Sequence, residues 1–326
     1  MKKQTKLLLI KALVSLTLIV LLFLKIDLSH LPEIFRDIKI SLLFLGFVLL
    51  FFNTAISALK WKILLKSDGV DIPFPYLLKS YLIGTFFNLF LPTSIGGDVY
   101  RIYDVAKKSQ DTSKSAASVF IDRASGFFAL SMIGLLAAFF ISSAIPDKRL
   151  VQFLLIVFSL IVLAFFILFQ RTFQKAVLFL VSSLPVQRFR KGLFIKFRDR
   201  LVRFFEKVFL SFNTYKSRAS VLLKIIGISF LFQSFLIVIV FIYAVSLDYD
   251  ISVYWFFLFM PAIVVLESIP TPTLYAVGVR DWGYVFFFTH AGLADTQAAA
   301  LSILYLFMTV IYSLSGGVFF ILKRKK

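Results

Sequence analysis

Twice in 326 residues an apolar run breaks at a Pro-Thr pair and leads within a few positions to glycine and arginine: LPTSIGGDVYR at 91–101 and IPTPTLYAVGVRD at 269–281. Proline lacks a backbone N–H and pushes the residue before it away from helical geometry, so each stretch is expected to interrupt a helix. In hydrocarbon, broken backbone survives only where protein buries it or where it lines a wet cavity. A break in each half of one chain points to a binding site built between the two, as in transporters.

The composition supplies the hydrocarbon. Hydrophobic residues make up 60% of the chain and the mean hydropathy is +0.92. Several apolar stretches reach the roughly 20 residues that cross a bilayer core of about 30 Å. Too little chain remains for an ordinary soluble domain of about 100 residues. Residues 1–326 therefore read as a single integral membrane domain, all-α, with a basic amphipathic segment at about 171–220 on the cytoplasmic side. There is no cysteine, which excludes disulfides, thiolate metal sites and cysteine nucleophiles. MKKQTK before an apolar run resembles the start of a signal peptide, but the run is long and no A-x-A-like cleavage site follows. It reads as a retained first span.

Spans are predicted near 7–24, 40–59, 118–144, 150–169, 221–246 and 296–321, with shorter apolar pieces at 76–91, 253–268 and 284–293. If 76–91 crossed fully, Lys60, Lys62 and Lys66 would lie opposite Arg101, Lys107, Lys108 and Lys114, against the bias that keeps Lys and Arg in cytoplasmic loops. A hairpin entering and leaving by the cytoplasmic face removes the conflict. That arrangement puts 30 of the 36 Lys and Arg inside, together with both termini. LDYDIS at 247–252 then lies outside, and 253–293 forms a second hairpin from the opposite face, as in an inverted repeat. Short, tilted full spans are the alternative for 76–91 and 253–268.

The formal charge of +19 raises the question of nucleic acid. The basic residues cluster in membrane-proximal segments, above all QRFRKGLFIKFRDRLVRFFEKVF at 187–209, where Phe189, Phe194, Phe197, Leu201, Phe204, Phe205 and Val208 recur at helical spacing. That is a basic amphipathic helix suited to an anionic leaflet, and nucleic acid is not the expected partner.

In NLFLPTSIGGDVYRIYD, Pro92 ends an apolar arm, Gly96 and Gly97 permit close backbone approach, and Asp98 is placed to cap a helix carrying Arg101 and Asp104. A helix start with an added arginine suits phosphate. A tight turn and an interfacial anchor are the structural alternatives. A nucleotide P-loop is not indicated, because the Gly-Lys-Ser/Thr ending is missing. Asp122 and Arg123 are adjacent, so they face different sides of a helix and call for separate partners, Arg101 and Asp104 among them. Glu267 is the one carboxylate deep in an apolar stretch, a costly placement that marks a functional candidate, with Arg280 as the nearby counter-charge.

Catalysis finds little support. His30 and His290 have no ligand-spaced companion, so neither a zinc site nor any other metal or cofactor site is expected. No nucleophile elbow or HExxH appears. Asp98, Asp104 and Asp122 holding a divalent cation against a lipid phosphate is the strongest enzyme-like reading.

At Asn88, Pro92, Gly96, Gly97 and Arg101, at the acidic-Arg pair Asp122-Arg123, and at Pro270, Gly278, Val279, Arg280 and Asp281, the chain resembles the flippase-like membrane domain of bacterial lysylphosphatidylglycerol synthetases. The resemblance covers essentially the whole chain. It implies a helical membrane fold with re-entrant segments and a lipid-related role, including transfer between leaflets. Where many members carry Gly-Gly-x-Gly-x-x-Glu, this chain has Tyr275-Ala276-Val277-Gly278-Val279-Arg280-Asp281, with two glycines missing and a shorter acid. The aminoacyl-transferase domain of the full synthetases does not follow before Lys326, so aminoacylation by this chain alone is not expected.

The leading expectation is a multi-pass protein of the bacterial inner membrane that translocates an anionic phospholipid or a polyprenyl-phosphate-linked lipid. Arg101 and the Gly96-Gly97 backbone would hold phosphate on the cytoplasmic side, while Glu267, Arg280 and Asp281 would line the opposite vestibule. A lipid headgroup transferase using the acidic cluster is one alternative. A noncatalytic partner of a separate lipid or glycan synthase is another, and a homo-oligomer is compatible with each. The topology is tested by single cysteines in the cysteine-free chain: an impermeant thiol reagent should label Ser143→Cys and Ser252→Cys in intact cells but not Ser109→Cys or Ser217→Cys. Labelling at position 109 from outside overturns the cytoplasmic hairpin.

Overall fold

The computed structural model describes residues 31–89, 96–141, 145, 147–183, 192–269 and 276–324. Within them the chain forms twelve helices and no strands. A short helix, α1 (Leu31–Arg36), precedes α2 (Ile40–Ser67). Then come α3 (Phe74–Asn88) and α4 (Gly96–Ser109), on either side of the first break, and α5 (Thr112–Ile141), α6 (Lys148–Leu168), α7 (Arg171–Ser182) and α8 (Gly192–Ser217). After α9 (Ala219–Ser246), α10 (Val253–Ser268) and α11 (Val279–Thr289) flank the second break, and α12 (Asp295–Arg324) completes the fold.

Five helices, α2, α5, α6, α9 and α12, are long and apolar enough to cross a membrane. Their outward residues, such as Phe44, Phe52, Phe139, Phe140 and Leu223, are large and exposed, as a lipid-facing surface requires. The small and polar residues turn inward. On α2, Asn53, Ser57 and Lys60 follow one another by four and three positions and are all buried. Ser118, Asp122 and Ser125 do the same on α5, and Ser229 and Gln233 on α9. This is the membrane counterpart of an amphipathic helix: polar groups find partners only across helix interfaces. The stripes meet, Ser229 Oγ donating to Ser125 Oγ at 3.1 Å and Gln233 Nε2 to the Gly126 carbonyl at 3.1 Å.

The expected spans thus correspond to α2, α5, α6, α9 and α12, with shifted ends; the one at 7–24 lies outside the described residues. The largest shift matters. The reading that closed a span at residue 59 treated Lys60 as a loop anchor, yet α2 runs on to Ser67 and Lys60 is only 2% exposed. Trp61, Leu64 and Leu65 beside it are also buried, and their apolar area outweighs the pull of a single lysine toward the interface.

The four helices beside the breaks are short. The 15 residues of α3 measure about 22 Å at about 1.5 Å per residue. Each pair packs on itself, α3 on α4 and α10 on α11. The first pair crosses at two glycines: a Cβ on Gly97 would stand 2.5 Å from the Gly84 carbonyl oxygen and 2.9 Å from Asn88 Oδ1. Pro92 and Pro270 lie outside the described residues.

The main core lies between α9, α10, α11 and α12, around Tyr243, Trp255, Phe256, Phe259, Tyr284 and Phe288. A second cluster seats the end of α8, where Val208, Phe209 and Phe212 meet Leu64, Ile121, Phe165 and Phe169. The described end of the basic amphipathic helix therefore spends its apolar face on the bundle rather than on a leaflet. Polar ties secure it, with Ser211 Oγ donating to Asp68 at 2.7 Å and the Arg218 guanidinium to the Ser67 carbonyl at 2.6 Å.

The glycine crossing yields a paired prediction. Gly97→Ala should lower stability by about 1–3 kcal/mol, because one helix must move off the other. Gly227→Ala on α9, where a Cβ meets nothing within 4 Å, should raise it by about 0.5–1 kcal/mol. Thermal unfolding of the two purified variants in one detergent checks the opposite signs.

Candidate functional site

The polar stripes and both interrupted pairs surround one cavity of about 300 Å³. Its wall takes Lys60 from α2, Tyr81, Gly84 and Asn88 from α3, Gly97, Asp98 and Arg101 from α4, and Asp122 and Arg123 from α5. Glu267 at the end of α10 and Arg280 at the start of α11 complete it from the other half of the chain.

Asp122 is the centre of the charged cluster. Its carboxylate lies 2.9 Å from Lys60 Nζ and 2.8 Å from Arg101 Nη2, and it accepts a hydrogen bond from the Tyr81 hydroxyl. Lys60 also donates to the Asp122 carbonyl at 3.0 Å and to Ser229 Oγ at 3.1 Å. Arg101, only 3% exposed, lies against two rings set at right angles to each other, its guanidinium carbon 4.3 Å from the Trp61 ring centre and 3.7 Å from that of Tyr81. Trp61 is in turn oriented by its Nε1 donating to Ser118 Oγ at 2.9 Å. Cation–π contacts of this kind help to hold a buried arginine.

Asp98 takes the remaining arginine contacts. Arg123 reaches it as a fork, Nε at 2.8 Å and Nη2 at 3.2 Å, and Arg101 Nη1 lies 3.3 Å away. Asp98 therefore does not cap α4 as expected. The helix starts at Gly96, which places Asp98 inside the first turn, and Asn88 Oδ1 accepts from the Gly97 N–H at 2.6 Å instead. Asp104, proposed as a partner for Asp122 or Arg123, points elsewhere and pairs with Lys323 of α12 and the Tyr76 hydroxyl. The suggested acidic trio does not assemble, and among the described residues no three His, Cys, Asp or Glu side chains are placed to hold a metal ion.

The second pair is organised by Asp281. Gly278 adopts φ 92°, a conformation that L side chains rarely take, and its N–H donates to Asp281 Oδ2 at 2.8 Å. Asp281 Oδ1 accepts from Arg280 Nη2 at 2.5 Å and from Ser302 Oγ at 2.5 Å. An Arg280–Asp281 pair stands where a Glu267–Arg280 pair was expected, with Asp281 also held by the Gly278 N–H at the start of α11, where Gly278 has φ 92° and ψ −63°. Glu267 is left facing the cavity with its Oε1 buried and without a hydrogen-bond partner among the described residues. The sequence reading set Glu267, Arg280 and Asp281 in a vestibule apart from Arg101. Glu267 and Arg280 instead share the cavity with Arg101, and Asp281 stands behind them as a positioning residue.

Lys60 is the site residue that the sequence reading missed. Its signal was available in the stripe Asn53, Ser57, Lys60, a polar run at helical spacing in an otherwise apolar helix.

The cavity does not end at its charged wall. Arg123, Phe127, Ser268 and Ile269 also line an adjoining apolar groove of about 550 Å³ between α5, α6 and the end of α10, with Phe120, Ile161, Ala164, Phe165 and Leu168. Four residues thus belong to the walls of both a polar chamber and an apolar groove, in a bundle whose five long apolar helices make this a multi-pass membrane protein. The chain belongs to the family described as lysylphosphatidylglycerol synthase TM region, whose model matches residues 8–316. Neither a curated protein nor a solved structure matches it.

The cluster predicts unequal costs of substitution. Asp122→Asn leaves two buried cations short of a partner and should cost about 3–5 kcal/mol, more than Lys60→Met. The double variant should cost clearly less than the sum of the two, because the groups share one network. Denaturant unfolding of the three variants in mixed micelles measures both differences; additivity within about 0.5 kcal/mol would show that the ion pair is not coupled.

Proposed function

We propose that this protein moves an anionic lipid, a phospholipid or a polyprenyl-phosphate-linked lipid, between the leaflets of the bacterial inner membrane. The observation that carries this reading is that the charged cavity and the apolar groove share wall residues, Arg123, Phe127, Ser268 and Ile269. A lipid has the same two parts in the same order, a charged headgroup and hydrocarbon chains.

The charge fits the headgroup. Among the described residues, Lys60, Arg101 and Arg123 face Asp98 and Asp122, so the cluster carries one positive charge more than negative. A phosphodiester carries one negative charge, and the arginine forks match its oxygens. The start of α4 brings a positive helix end to the same wall. The two interrupted pairs act as re-entrant hairpins from opposite faces, so that both leaflets lead to one chamber. Both termini lie in the cytoplasm. The other reading, a membrane-embedded headgroup transferase, draws on three carboxylates around one cation, and of these Asp104 turns away to Lys323.

Vesicles of phosphatidylglycerol and phosphatidylethanolamine carrying a trace of fluorescent phosphatidylglycerol test the reading, with dithionite quenching the exposed leaflet. The wild-type protein should speed the loss of protected fluorescence. Arg101→Ala should slow it on the order of tenfold and Arg101→Lys by less, since the lysine keeps the charge but loses the fork. Ala164→Trp, which fills the groove and leaves every charge in place, should slow it as well. A rate equal to protein-free vesicles overturns the reading; recovery of a covalently altered headgroup without movement favours the transferase.

A further inference from the structure

At the wall of the cavity the two arginines are already bound to an anion, and the anion belongs to the chain. Asp98 holds Arg123 through the fork of Nε and Nη2, at 2.8 and 3.2 Å, and Arg101 through Nη1 at 3.3 Å. Its carboxylate lies in the first turn of α4, the position where a helix start favours an external anion. The geometry is that of an arginine pair gripping a bidentate acceptor, which a phosphate reproduces.

The grip is incomplete. Arg101 is 3% exposed and its Nε has no hydrogen-bond partner among the described residues. A buried guanidinium N–H without an acceptor is costly. The Asp98 carboxylate meets Arg123 and Arg101 Nη1 but does not reach Arg101 Nε. A phosphate brings more oxygens, in three dimensions. The Arg123 side chain is 43% exposed, so an entering group can reach it from the groove.

We propose that Asp98 is an internal competitor for phosphate: its carboxylate occupies the arginine pair when the cavity holds no ligand and yields at least one oxygen's place when a phosphate-bearing headgroup enters. The competition sets a threshold. Headgroups without a phosphate do not displace it. This inference rests on the phosphate reading of the cavity.

The test is the affinity of the purified protein for dihexanoyl-phosphatidylglycerol and, separately, for inorganic phosphate, by isothermal titration calorimetry in detergent. Asp98→Asn removes the competing charge and should tighten binding about tenfold, the equivalent of one charge-assisted hydrogen bond no longer opposed. A gain with either titrant supports the proposal, and a gain with the lipid alone shows that the chains in the groove are needed to bring the phosphate in. Asp98→Ser should give the same gain if Asp98→Asn does not fold. Unchanged or weaker binding in a folded Asp98 variant overturns the competitor, and loss of binding in Arg101→Ala in the same assay keeps the phosphate reading intact. Failure of both Asp98 variants to fold makes the carboxylate a structural clamp and likewise overturns it. Absence of binding by wild type and by every variant overturns both readings together.

Discussion

Asp122 holds the site together because it is one carboxylate answered from three other helices. Lys60 comes from α2, Tyr81 from α3 and Arg101 from α4, and the two buried cations would lose their closest carboxylate without it. Much of the interior can be understood from that requirement. Trp61 and Tyr81 flank Arg101; Ser229 accepts a hydrogen bond from Lys60; Asp98 pairs with Arg123. A bundle of lipid-soluble helices gains little from burying apolar area, since lipid is as apolar as its core. Specific polar contacts and close helix crossings such as Gly84 with Gly97 therefore carry the selection of one arrangement.

The fold class was legible because length and hydropathy leave a membrane bundle as the main solution, and the two breaks were legible because proline in an apolar run has few uses. Helix α10 begins and ends at 253 and 268, where its apolar run does. Helix α11 starts at Val279, five residues before the run expected at 284–293, since Gly278 and Asp281 make a helix start that hydropathy does not register. Lys60 was lost for the opposite reason: a hydropathy window ends at the first lysine, whereas the helix continues as long as the residues beyond are buried.

Partners inside the cavity were the least legible part. Adjacent charges in sequence suggest nearby mates, and Glu267 with Arg280 was the natural choice. At the start of α11, where Ala276 and Gly278 both take positive φ, Asp281 pairs with Arg280 and Glu267 is left to the cavity. The joining of the two breaks into one chamber depends on how α2, α5 and α9 bring the halves together, and pairings of that range have no signature in local spacing. The docking of α8 is similar. Its sequence shows an apolar face, but the choice between bundle and leaflet depends on the matching faces of α5 and α6.

Helix α12 packs against α3 from the first interrupted pair and against α11 from the second. The contact with α3 leaves no slack: a Cβ on Gly316 would stand 1.9 Å from the Leu82 carbonyl oxygen, Phe86 fills the space beside Gly317, and Lys323 is tied to Asp104 at the far end. At the other contact, Ser302 shares its hydroxyl with Asp281 and Arg280. One helix is therefore fastened to both halves of the chamber, so the wall at Arg101 and the wall at Arg280 share a single support and a displacement of either meets the same element.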